Sequence, residues 1–241
     1  MPRRDLRKIR AVLFDLDNTL MDFMRMKESA IQSAVDAMID AGLPLHRSKA
    51  LQHIDRLYHK YGIENQRIFN AFLEETLGKV DNKVLAAGVV AYRRVKEGFV
   101  EPYPNVASTL LELSNRGYVL GIISDAPAFQ AWSRLVGMKL HHFFSDENVI
   151  TLGDTGVRKP SELPFAKAIE KLRLKPDEML MVGDDPHRDV AGSNKFGMIS
   201  VLAKYGNYSG SNPKLLNEGE EADYVIDDVK DLLNFLPTRN R

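Results

Sequence analysis

The stretch Ala11-Val12-Leu13-Phe14-Asp15-Leu16-Asp17-Asn18-Thr19-Leu20 joins four apolar residues to two carboxylates spaced by one residue. The apolar run reads as a short buried strand. The backbone turns into a loop where a strand ends. Asp15 and Asp17 can therefore both face the crevice outside the carboxyl ends of the strands, where open α/β sheets bind ligands. A carboxylate pair there can hold a divalent cation or divide the work of nucleophile and proton donor. An Asx turn, in which Asp17 and Asn18 bond local backbone N–H groups, is the purely structural alternative.

Working outward, proline divides the chain into unlike parts. Of eleven prolines, only Pro44 lies between Met21 and Gly98. Within that stretch apolar residues recur at helical spacing four times: Ile31/Val35/Met38, Leu51/Ile54/Leu57/Tyr61, Ile68/Phe72/Leu77 and Leu85/Val89/Tyr92. Each set gives one buried helix face. Glycines 42, 62, 78 and 98 fall where the four helices should stop. The expected unit is a four-helix insert at residues 21–98, placed directly after the first strand.

Beyond Glu101 the pattern changes. Val106/Leu110/Leu113 predicts a helix ending near Gly117, and Tyr118–Ile123 a strand with no polar alternation, as a parallel sheet requires. Helices follow through Trp132 to Val136 and over Ser161–Leu172. The run Met179–Val182 predicts a strand, then a short helix to about Phe196. Met198–Leu202 and Tyr224–Ile226 complete the strands, and a helix over Val229–Phe235 ends the series. Strand alternating with helix predicts an α/β fold, a doubly wound, Rossmann-like parallel sheet built from residues 1–20 and 99–241. Ser209–Pro213 reads as a loop.

Composition narrows the function classes. Lys plus Arg equal Asp plus Glu at 33 each, so no global field draws nucleic acid or anionic lipid. The basic run Arg3, Arg4, Arg7, Lys8, Arg10 is short and reads as a solvated terminus. The chain has no cysteine, which removes disulfides, thiolate catalysis and cysteine metal sites. No apolar run approaches the roughly 20 residues that span a bilayer. A signal peptide is not expected, since Asp15 and Asp17 interrupt the apolar segment. The expectation is a cytoplasmic protein, monomer or homodimer, with neither nucleic acid nor membrane as partner.

Three further places lie at expected strand ends. Ser124-Asp125 follows the strand ending at Ile123; a hydroxyl and a backbone N–H there can bind a phosphate oxygen, or simply cap the next helix. Lys159 precedes Pro160, which keeps it extended and able to direct its side chain into the crevice; an isolated Lys-Pro reads first as a solvated surface lysine. Gly183-Asp184-Asp185-Pro186-His187-Arg188-Asp189 follows Val182. There glycine permits a sharp exit, Asp184 can reach the same cation as Asp15, and Asp189 can hold the Lys159 ammonium or cap a helix.

With these four motifs in this order, the chain resembles the haloacid dehalogenase superfamily of hydrolases over nearly its whole length, and the helical insert resembles that family's cap domain. The resemblance implies a phosphatase acting on a small soluble phosphomonoester with Mg²⁺ as cofactor. Asp15 is then the nucleophile and Asp17 the general acid and base. Lys159 is the neutralising cation, and Ser124, Asp125 and Lys159 bind phosphate. The metal falls to the Asp15 and Asp184 carboxylates and the Asp17 carbonyl, with Thr19 and Asp189 in support. Dehalogenating relatives lack an acid at the position of Asp17, so its presence favours phosphoester chemistry. A phosphonatase would need a cap lysine, and nothing marks out Lys27. A sugar phosphomutase shares every motif, and a silent regulatory relative is the reading from another class. Candidate substrates include glyceraldehyde 3-phosphate, phosphoglycolate, a sugar phosphate, pyridoxal phosphate and a nucleotide, with a lean to the first because the chain also resembles archaeal members of the group. Phe23, Met24, Tyr92, Arg93 and Arg94 are candidates for the substrate face of the cap, and amphipathic helix packing accounts for them equally well. Asp185 reads as a turn residue or an outer partner of the metal. His53, His59, His141, His142 and His187 read as ordinary structural or solvated histidines.

Overall fold

The computed structural model describes residues 5–206 and 219–238. Arg3 and Arg4 of the basic run and the Ser209–Pro213 loop lie outside them. The chain divides into two units, residues 1–22 with 101–241 and residues 23–100.

In the first unit the strands are β1 (Ala11–Phe14), β2 (Val119–Ile123), β3 (Val149–Ile150), β4 (Met179–Gly183), β5 (Ile199–Ala203) and β6 (Tyr224–Ile226). All pairings are parallel and the order is β3-β2-β1-β4-β5-β6. The α/β reading is therefore borne out. Every residue of β1 is buried, as a central strand covered on both faces must be. Leu13, Ile123, Met181 and Met198 pack with Phe165 into one apolar cluster. Phe14 pairs with both Ile122 and Val182. Three neighbouring strands thus release their chains at the same end, where the order reverses beside β1.

The second unit holds α1 (Phe23–Asp40), α2 (Arg47–Tyr61), α3 (Ile68–Leu77) and α4 (Asn82–Gly98). Its core gathers Val35, Met38, Ile54, Leu57, Ile68 and Phe72 from the expected faces, whereas Tyr61 is exposed. Gly78 closes α3 in the left-handed region at φ 71°. Gly98 does not play that part: α4 runs through it and stops at Phe99, whose N–H reaches the carbonyls of Val95 and Lys96. The unit therefore begins and ends two residues later than expected. Met21 stays with the sheet, bridging Asp17 and Pro102 with its side chain wholly buried.

Back in the first unit the remaining helices are α5 (Val106–Asn115), α6 (Ala128–Gly137), α7 (Leu152–Thr155), α8 (Glu162–Leu172), α9 (Ala191–Phe196) and α10 (Leu232–Phe235). Neither β3 nor α7 is expected from the sequence, because two and four residues are too few to show a period. Pro186–Val190 is a π-helical turn leading into α9. Among the described residues no helix is long and apolar enough to cross a membrane.

Gly88 on α4 sits where a Cβ would lie 2.0 Å from the terminal methyl of Met38 on α1. The two helices approach that closely because position 88 has no side chain. Gly88→Ala should therefore destabilise the protein by about 1–3 kcal/mol through overpacking, although alanine is the better helix former. Calorimetry of Gly88→Ala, Met38→Ala and the double variant checks this. The paired change should be milder than the sum of the single ones.

Candidate active site

Every residue of the site belongs to the sheet unit. The ladder carries the Asp15 N–H to the Val182 carbonyl at 2.8 Å, so its Cα is fixed as firmly as β1 itself. The chain then turns sharply. Asn18 takes the left-handed region at φ 64°, which asparagine tolerates better than most residues, and its N–H donates to the Met21 carbonyl at 2.8 Å. The turn returns Thr19 towards Asp15, and the Thr19 hydroxyl donates to Asp15 Oδ2 at 3.2 Å. From the far side, the Tyr205 hydroxyl donates to the Thr19 carbonyl at 3.0 Å.

Lys159 is the hub. Its Nζ donates to Asp15 Oδ1 at 2.5 Å, to Asp189 Oδ1 at 2.7 Å and to the Ile123 carbonyl at 2.8 Å. An ammonium has three protons, and all three are used. Burial alone would push its pKa down; the carboxylates of Asp15, Asp189 and Asp125 override that and hold it raised. Its backbone N–H donates to Asp125 Oδ1 at 2.9 Å.

That last bond changes the reading of Asp125. Its carboxylate is spent on the Lys159 backbone and on Arg188, 3.4 Å away. What it can offer a phosphate is its backbone N–H. Neither Ser124 nor Asp125 caps α6, whose N-cap is Pro127. The Ser124 hydroxyl instead accepts from the Ala126 N–H at 3.2 Å.

Asp189 is likewise not a cap. The side chain of Asp185 caps the π-turn, accepting from the N–H groups of His187 and Arg188, so Asp189 is left to bridge Lys159 and the Asp185 N–H. Gly183 serves this arrangement by absence rather than by turning the chain. A Cβ on it would stand 2.3 Å from the Asp189 carboxyl carbon. Asp189 is fully buried; burial and Asp15 raise its pKa while Lys159 opposes them. His187 pairs with Glu220 at 3.0 Å, an ordinary surface role.

Asp184 completes the crowd. One oxygen each from Asp15, Asp184 and Asp189 lie within 4.8 Å of one another, all three residues buried. Burial first, then Asp15 and Asp189, raise the Asp184 pKa to about 8. Its Oδ1 is buried without a hydrogen-bond partner. Asp15 and Asp189 each already accept from Lys159, so the oxygen with spare capacity for a cation in this cluster is that of Asp184. An oxygen-only donor set around an unsatisfied buried carboxylate suits a hard divalent ion. The side chain of Asp17 lies outside this cluster, its Oδ2 accepting from Arg134 at 2.7 Å.

Several members of the site escaped the sequence reading. Arg134 and Tyr205 sit in ordinary helix and loop contexts. Gly206 has no room for a Cβ, which would meet Asp184 Cβ at 2.4 Å and the Asn18 carbonyl at 2.5 Å. The Lys-Pro and Gly-Asp-Asp signals were visible; these contacts, made across long stretches of chain, were not. Considered by itself, the helical unit has a cavity of about 130 Å³ lined by Lys27, Tyr58, Tyr92 and Arg93 among others. Lys27, unremarkable in sequence, is buried there, its Nζ donating to the Tyr92 hydroxyl at 3.0 Å and lying 4.4 Å from the Tyr58 ring centre.

This arrangement, an ammonium clamped between two aspartates beside a buried acidic cluster, lies in a chain matched by the haloacid dehalogenase-like hydrolase family. The chain belongs to that family, whose profile matches residues 9–197. Among curated relatives, the glyceraldehyde 3-phosphate phosphatase of Methanopyrus kandleri is 34% identical over 228 residues, 94% of this chain and 96% of the relative. The pyrophosphatase PpaX of Bacillus mycoides is 30% identical over 97% of this chain and 99% of its own. Among solved structures, a HAD phosphatase from Thermococcus onnurineus superposes with a TM-score of 0.68 at 25% identity, covering 95% of this chain and 99% of that one.

Relieving the carboxylate crowding should be visible without any substrate. Asp184→Asn should raise the melting temperature of the metal-free protein, by about 2–4 °C for each kcal/mol of repulsion removed. The same change should abolish stabilisation by MgCl₂, which in the wild type should reach about 2.7 kcal/mol at a hundredfold excess over the dissociation constant. Differential scanning calorimetry with and without the ion checks both.

Proposed function

We propose that the protein is a Mg²⁺-dependent phosphatase that hydrolyses a small soluble phosphomonoester through an aspartyl-phosphate on Asp15, and that it works in the cytoplasm. The observation that carries this reading is the Lys159 ammonium held against Asp15 beside the unsatisfied Asp184 oxygen. A phosphate monoester is an anion, and so is its attacker. Bringing them together requires positive charge fixed in advance at the meeting point.

In the first half-reaction an Asp15 oxygen bonds to phosphorus while the bond to the leaving oxygen breaks. Asp17 gives that oxygen a proton. In the second half Asp17 takes a proton from water, the water oxygen bonds to phosphorus, and Asp15 is released, restoring both carboxyl groups. Lys159 neutralises charge beside Asp15, Asp189 keeps its ammonium aimed, and Ser124 with the N–H of Asp125 orients the equatorial oxygens. Asp15 and Asp184, with the Asp17 carbonyl, would hold Mg²⁺, which supplies charge neutralisation to the phosphoryl oxygens when bound.

Residues 23–100 we assign as the cap that selects among phosphoesters. Glyceraldehyde 3-phosphate is the first substrate to test, since the relative from Methanopyrus kandleri named for it matches over nearly the full chain. Its alkyl leaving group is one that needs protonation, which fits an acid at position 17.

Phosphate release from a panel led by glyceraldehyde 3-phosphate and phosphoglycolate, with MgCl₂ or with chelator, tests the reading. Turnover should require the metal and fall at least about 10³-fold in Asp15→Asn, as expected when a nucleophile is removed. Turnover that survives in Asp15→Asn would overturn it. Gly183→Ala should displace Asp189 from its ammonium and lower kcat about 10²-fold, the order of loss expected from misplacing a reacting group by an ångström. Retention of full kcat would remove Asp189 from the account.

A further inference from the structure

We infer that Arg134 is the positioning residue of the acid–base carboxylate: its guanidinium grips Asp17 by Oδ2 and so orients the group that carries the proton to and from the reacting atoms. The inference rests on the phosphatase reading above and names a part of its machinery that lies 117 residues from Asp17.

Arg134 is an inward-facing residue of α6, 3% exposed, between Ala131 and Leu135 on the buried side of the helix. Leucine or methionine would pack such a helix without the desolvation that a buried guanidinium suffers. A buried arginine is therefore informative when its fork ends on a chemically active group. Here Nη1 donates to Asp17 Oδ2 at 2.7 Å. The burial is asymmetric, with the arginine side chain 3% exposed and the aspartate side chain 22%. The carboxylate is thus held by a cation buried more deeply than itself.

Asp17 needs such a hold. It sits three residues past the end of β1, beyond the last strand pairing at Phe14, on a loop that has left the ladder. Asp15 owes its direction to the ladder, to Thr19 and to Lys159. Arg134 does for Asp17 what Lys159 does for Asp15, with a difference suited to the task. A guanidinium is planar, always charged and poor at giving up a proton, so it orients the carboxylate without entering the proton traffic. The proton on Asp17 passes to the leaving oxygen as the phosphorus–oxygen bond breaks. A proton from the attacking water returns to Asp17 as the second bond forms.

The test compares esters that differ in their need for an acid. An alkoxide leaves poorly without a proton, whereas 4-nitrophenolate leaves readily. Arg134→Gln should lower kcat/KM, which reports only the first half-reaction, about 10–100-fold for glycerol 3-phosphate or glyceraldehyde 3-phosphate, within the range general acid catalysis supplies. With 4-nitrophenyl phosphate the loss in kcat/KM should stay below about fivefold. Arg134→Lys, which keeps the charge on a single donor, should lie between wild type and Arg134→Gln. It carries the same comparison should the glutamine variant not fold. Equal losses on both esters would reduce Arg134 to a structural residue, and unchanged or faster alkyl turnover would contradict the inference outright. A wild type inactive on both esters would sink the phosphatase reading itself. A crystal structure of Arg134→Gln, or of Arg134→Lys if that alone folds, then decides the inference separately. The Asp17 carboxylate should leave its present orientation, and a carboxylate that stays in place would overturn it.

Discussion

Asp15, Asp184 and Asp189 are crowded into the interior at one end of the sheet, and among the described residues the one ammonium between them is that of Lys159. Most of the local architecture follows from that imbalance. The ammonium has to be buried to reach two carboxylates at once, and it is stable as a cation there only because they surround it. The carboxylate it does not touch, Asp184, is left with a raised pKa and an unsatisfied oxygen. A fold tuned only for stability would remove such a group; an enzyme that binds an anionic substrate through a cation, as proposed for this one, has reason to keep it.

The fold makes this crowding possible by geometry rather than by bonding. Parallel strands β1, β2 and β4 end level with one another, which brings Asp15, Ser124 and Asp184 onto one rim. Gly183 and Gly206 then keep side chains out of the space that Asp189, Asp184 and the Asn18 turn occupy. Arg188 closes the outer side, pairing with Asp185 and Asp125; burial opposes its charge, while Asp189, Asp15 and Asp185 keep its pKa raised. Each carboxylate near the rim is thus assigned either to chemistry or to holding another group still.

Much of this was legible in the sequence. The uninterrupted apolar runs gave the strands, because residues buried on both faces leave no polar alternation, and carboxylates placed directly after such runs could only land on the rim. What was not legible depended on partners distant along the chain. Nothing local separates Arg134 from any other helical arginine; its meaning comes from Asp17. Asp189 holds the Lys159 ammonium, and the capping that was its structural alternative falls to Asp185, because a π-turn begun by Pro186 moves the cap back to the residue before the proline. Gly183 looked like a turn-former and acts as a vacancy, a distinction that needs the coordinates of its neighbour. Strand β3 was missed for want of length, and the unit boundary shifted when Met21 paired with Pro102, a contact spanning the entire insert.

The central claim is that phosphorus passes through a covalent bond to Asp15. The stereochemical course at phosphorus tests it most directly. Hydrolysis of a phosphoryl ester made chiral with oxygen isotopes and sulfur should proceed with retention, since two in-line displacements invert the centre twice. Net inversion would mean that water attacks the ester directly, and Asp15 would then be a metal ligand and no nucleophile.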